Sequence, residues 1–80
     1  MHYDAAAMYT ILGDYGRYVS MYELFRSFCA VLANAEPRCA TYMPMLKARF
    51  REAIGELELS GLMCTLRRGN ASKTVFEERV

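Results

Sequence analysis

Eighty residues, 54% of them apolar, with a formal net charge of +1, describe one small globular domain and exclude a disordered chain. Ten bases against nine acids give no bulk attraction to nucleic acid or to a membrane surface, so any polyanion contact must come from local clustering. A chain this short buries only about 60% of its unfolded surface, and part of its apolar surplus is expected to face a partner.

The three cysteines, Cys29, Cys39 and Cys64, are odd in number and unevenly spaced, so they form no disulfide framework. With His2 the single histidine and no Cys-x-x-Cys pair, no metal site is expected. The thiols read as small side chains in a reducing compartment. The start MHYDAAAMY has no charged leader region, and no apolar run approaches the ~20 residues that span a bilayer. The expectation is a soluble intracellular chain without membrane contact.

Asp4 before AAAMYTIL offers an N-cap to a first helix over residues 5–14, with Ala5, Met8, Leu12 and Tyr15 at helical spacing and Gly13 and Gly16 as stops. Residues 17–19, Arg-Tyr-Val, make one short edge strand. Ser20-Met21-Tyr22-Glu23 is a capping box, with Val19 and Leu24 at the hydrophobic-staple positions, so a second helix starts at Met21. It presents Met21, Phe25, Phe28 and Leu32, flanked by Leu24, Cys29 and Val31. Pro37 ends it.

Thr41 as N-cap and Pro44 in the first turn open a third helix that runs to about Ser60. Leu46, Phe50, Ala53, Ile54 and Leu57 fall within a sector of ~100°, and Gly61 stands where a left-handed residue closes a helix. Beyond it the period becomes two: Leu62, Cys64 and Leu66 alternate with Met63, Thr65 and Arg67. RGNAS supplies a turn and KTVFE a last strand. The expected fold is α+β, a winged helix-turn-helix of three helices, a short strand and a C-terminal β-hairpin wing, as a single domain over residues 1–80.

In a DNA-reading domain of that kind the third helix offers donors to base edges. Here its outer face holds Ala48, Arg51, Glu52, Gly55, Glu58 and Leu59, and its bases Lys47, Arg49 and Arg51 are matched by Glu52, Glu56 and Glu58. The bases come first and the acids last, opposite to what the helix dipole prefers. Ala48, Glu52, Gly55 and Leu59 read as a partner interface, with a solvated face bearing one stray leucine as the bland alternative. Arg67, Arg68 and Lys73 around Gly69-Asn70 read as phosphate contacts, helped by Lys47 and Arg51; ordinary solvated turn charges are the alternative. So few cations imply weak, salt-sensitive, non-specific binding to double-stranded DNA.

Tyr9, Tyr15, Tyr18 and Tyr22 lie in or beside apolar patterns and suit core or interface packing better than base stacking. No nucleophile–histidine pairing, phosphate-binding glycine loop or paired-carboxylate site appears, so no catalytic residue, no cofactor and no enzyme activity are expected.

Ala48-Arg49-Phe50, then Ala53, then Glu56-Leu57-Glu58-Leu59 and Gly61, resembles the segment near the C-terminus of the third subunit of the eukaryotic origin recognition complex. Gly16-Arg17 before the second helix is similar to the same family's approach to that segment. The likeness runs from about Gly13 to Leu66 and is strongest over residues 48–61; the loop at 34–42 is shorter than in animal members and the wing diverges. The resemblance implies a C-terminal winged-helix piece of a larger nuclear subunit, acting in DNA replication initiation beside other subunits of that complex. It brings no catalytic residue. A freestanding winged-helix transcription regulator and a protein-only winged-helix scaffold remain the alternatives.

Overall fold

The computed structural model describes residues 2–16, 18–38, 42–68 and 71–76, with residues 66–68 and 71–76 described by their backbone course. The elements are α1 (Tyr3–Tyr15), β1 (Tyr18–Ser20), α2 (Met21–Ala35), α3 (Met43–Leu59), β2 (Met63–Arg68) and β3 (Ala71–Phe76). The strands form one antiparallel sheet in the order β1-β3-β2, so the last strand lies between the other two. Helices gathered against a small antiparallel sheet make this an α+β fold.

The first helix departs from its expected start. It begins at Tyr3, with His2 at the N-cap and no side-chain capping bond. Asp4 does not cap it; the carboxylate turns to Arg49 of α3. The His2 amide donates to Glu56 Oε1 at 3.1 Å. The positive end of α1 is thus met by two carboxylates, Asp4 from its own first turn and Glu56 from α3. A tertiary contact has displaced the local cap.

The second helix starts as expected. Val19 and Leu24 are both buried at the staple positions, and Ser20 Oγ accepts the Glu23 amide at 3.1 Å, the first arm of the capping box. The buried stripe is Leu24, Phe28 and Leu32, while Met21, Phe25, Cys29 and Val31 are partly buried along its edges. The expected stripe through Met21 and Phe25 is therefore rotated toward Leu24, because α1 packs on that flank as α3 packs on the other.

α3 has Tyr42, not Thr41, at its N-cap; Thr41 lies outside the described residues. All five expected core positions are buried: Leu46, Phe50, Ala53, Ile54 and Leu57. Its C-terminus closes as expected. Gly61 takes φ 72°, its amide donates to the Glu58 carbonyl at 3.0 Å, and the Leu62 amide donates to the Leu57 carbonyl at 2.9 Å. That bond pair is a Schellman closure, and Leu62 packs on the core where the motif puts its apolar contact.

Leu62 is thereby part of the helix end, and β2 starts one residue later. Met63 is then the buried residue, whereas Leu62 and Cys64 are half-buried, so of the two alternating sets it is the one with Met63 that supplies the buried side chain. The expected turn is also shorter: Arg68 pairs with Ala71 and Arg67 with Ser72, which leaves only residues 69–70 between the strands. β1 is an edge strand as expected, displaced to Tyr18–Ser20 and paired with β3.

The core joins the three helices to Val19 and Met63. Phe50 is its hinge: its ring meets Phe25 edge-on at 5.0 Å and Phe28 at 5.7 Å between centroids. Among the tyrosines, Tyr9 packs on this core, but Tyr15, Tyr18 and Tyr22 are exposed, contrary to a core role. Tyr15 keeps one tertiary bond, its hydroxyl lying 2.7 Å from Ser27 Oγ on α2.

Candidate functional site

α3 presents three surfaces to the outside, and helical geometry assigns its charges among them. Residues 49, 53 and 56 lie on the flank toward α1; residues 47, 51 and 58 lie on the opposite flank; residues 48, 52, 55 and 59 lie between.

The α1 flank consumes its charges internally. Arg49 Nε donates to Asp4 Oδ2 and Nη2 to Asp4 Oδ1, both at 2.8 Å, and Nη2 also reaches Glu36 Oε2 at 2.8 Å. This joins the first turn of α1, the C-cap of α2 and the middle of α3. The hydrogen bonding to Asp4, outweighing partial desolvation, pushes the Arg49 guanidinium further above its ordinary value, so it is a fixed cation. A surface hollow of about 340 Å³ lies here, lined by His2, Tyr3, Asp4, Glu52, Ala53 and Glu56. Asp4 and Glu56 are already engaged, and among the described residues no cluster of side chains is able to hold a metal ion.

The opposite flank is basic. Lys47 and Arg51, one helical turn apart, are both exposed and, with Met21, Phe25 and Phe50, line a groove of about 300 Å³ between α2 and α3. No acid lines it. Glu58, on the same flank nearer the C-terminus, accepts a hydrogen bond from Thr65 Oγ1 of β2 at 3.3 Å. Nearby on α2, the Arg26 guanidinium carbon sits 5.8 Å from the centre of the Tyr22 ring.

The strip between the flanks carries the residues expected at a partner interface. Ala48, Glu52 and Leu59 are exposed and Gly55 is half-exposed. Leu59 is 92% exposed, the most exposed large apolar side chain among the described residues. A Cβ built on Gly55 meets nothing within 4 Å, so nothing in the described fold requires glycine there.

Arg67, Arg68 and Lys73 lie on β2 and β3, with Lys73 paired to Leu66 and to Ser20 across the sheet. Their side chains, and Gly69 and Asn70, lie outside the described residues. Sequence reasoning placed Lys47 and Arg51 on α3 but missed the apolar floor beside them, because Met21 and Phe25 come from another helix. Their period was visible; the pairing of α2 with α3 was not. It also counted Arg49 with the free bases, and nothing local marks Asp4, 45 positions away in sequence, as its partner.

No family model matches the chain, and no curated protein or solved structure matches it.

Proposed function

We propose that this chain is a winged-helix module of the eukaryotic origin recognition complex, acting in the nucleus in DNA replication initiation and contributing subunit contacts and non-specific phosphate contacts. The order helix, strand, helix, helix, strand, strand supports the winged-helix reading, with α3 in the place of the recognition helix and β2–β3 as the wing. The resemblance over Ala48–Phe50, Glu56–Leu59 and Gly61 supports the complex. In this reading the chain is one part of a larger subunit and has no catalytic role.

One observation carries the reading: α3 leaves Leu59 almost wholly exposed on a strip with Ala48 and Gly55, while Lys47 and Arg51 on its flank have no ion-pair partner among the described residues. A helix that reads bases needs an array of donors across its outer face. An exposed leucine beside small residues suits a flat protein contact instead. The wing bases Arg67, Arg68 and Lys73 then serve as phosphate contacts of a component held on DNA by its neighbours.

The test is co-purification of the tagged chain with the other origin-complex subunits, in parallel with retention of the assembly on double-stranded DNA. Leu59→Glu is expected to abolish co-purification, and the Arg67→Glu, Arg68→Glu pair to weaken DNA retention while folding is preserved. Retention equal at low and moderate salt would count against the phosphate role. The same exposed leucine also favours a protein-only scaffold, and loss of the wing bases without any effect on DNA retention would select it. A freestanding transcription regulator requires sequence-specific binding by the chain alone in a gel shift.

A further inference from the structure

We propose that the groove between α2 and α3 is a docking site for an acidic peptide segment that presents a bulky apolar side chain between carboxylates. The floor is apolar and aromatic: Met21 and Phe25 from α2 and Phe50 from α3, with the two rings edge-to-face at 5.0 Å. The rim is cationic, formed by Lys47 and Arg51, and no ion pair engages either among the described residues. Of the acids of α3, Glu56 bonds the His2 amide, Glu58 accepts from Thr65, and Glu52 lines the hollow on the α1 side. Among the described residues no acid lines the groove, so a carboxylate arriving there meets two cations one turn apart.

The floor decides between an acidic peptide and a nucleic acid backbone. A phosphodiester is able to pair with Lys47 and Arg51 but has no group to cover the half-buried Met21 and Phe25, which would stay wet. A peptide segment satisfies both features: one apolar side chain enters a hollow of about 300 Å³, and flanking carboxylates reach the rim. The aromatic pair is anchored in the core through Phe50 and Phe28, so the floor is preorganised. The inference needs only this groove and stands whether or not the chain joins an origin complex.

The experiment titrates the whole chain with a fluorescein-labelled peptide in which a Leu-Phe pair is flanked on each side by two glutamates, read by anisotropy and by amide shifts. One control peptide carries Ser-Ser in place of the apolar pair; a second titration uses a short mixed-sequence DNA duplex. Lys47→Glu and Arg51→Glu are exposed changes, checked for folding by circular dichroism. Each is expected to weaken the glutamate peptide about tenfold, the Ser-Ser control to bind at least as much more weakly, and the shifts to centre on Met21, Phe25 and Phe50. Equal binding by the two peptides, insensitivity to both charge reversals, or a duplex that shifts the groove residues while the peptide leaves them unmoved would each overturn the proposal. Failed co-purification with origin subunits would sink the complex assignment alone and leave this titration standing.

Discussion

Arg49 on α3 holds Asp4 on α1 through two parallel hydrogen bonds of 2.8 Å, and the same guanidinium meets Glu36 at the end of α2. The pair is mostly shielded from solvent, with about a fifth of each side chain accessible (23% and 21%), so it is screened less than an ordinary surface ion pair. Arg49→Met keeps the aliphatic stem and removes the fork. It is expected to cost about 1–2 kcal/mol, the range for charge-assisted bonds in a half-buried setting. Arg49→Lys should recover only part, because an ammonium does not match the carboxylate in a bidentate way. Urea denaturation with an Asp4→Asn double-mutant cycle measures the coupling; additive single changes would show the clamp to be inert.

Gly61 at φ 72° closes α3 in a conformation that a Cβ disfavours. Gly61→Ala is expected to destabilise by about 1–2 kcal/mol. In a domain of this size that lowers the melting temperature by about 4–8 °C per kcal/mol. An unchanged thermal midpoint would mean that the Schellman closure is not needed to start β2.

Gly55 and Leu59 separate stability from association. Because a Cβ at Gly55 meets nothing within 4 Å, Gly55→Ala should stabilise the isolated chain by about 0.5–1 kcal/mol. Leu59→Ser, at an almost fully exposed site, should change stability by less than about 0.5 kcal/mol. Both changes are expected to reduce capture of a partner on this strip. Pull-down yields that match the unmodified chain would remove the strip as an interface.

Burial pushes the Cys29 thiol above the ordinary value of 9.0. Since the folded value is the higher one, the contribution to stability is fully present below about pH 9 and is lost as pH rises through the folded value. Guanidinium midpoints for the chain and for Cys29→Ala should therefore differ by a constant up to pH 9, with the gap narrowing above it. At pH 8 a disulfide reagent should react with Cys29 more slowly than with the thiols of the denatured chain. A Cys29 rate equal to the denatured one would show the site to be open.

Local chemistry alone determined much of the architecture. The five apolar positions of α3, the Ser20 cap, the stop at Pro37 and the left-handed Gly61 were legible because each rests on residues within one or two turns of each other. The helical period likewise put Ala48, Glu52 and Leu59 on an outward face, whatever packs inside. Tertiary structure decided what no window of sequence contains. It took Asp4 from its expected cap to Arg49, set β3 between β1 and β2, and made Met63 the inward residue. It also sorted a helix of balanced charge into a flank beside α1 whose Arg49 is paired inside the fold and a cationic flank beside α2. Coulomb attraction and burial act through space, so the partner of each charge depends on which helix ends meet, and only packing settles that.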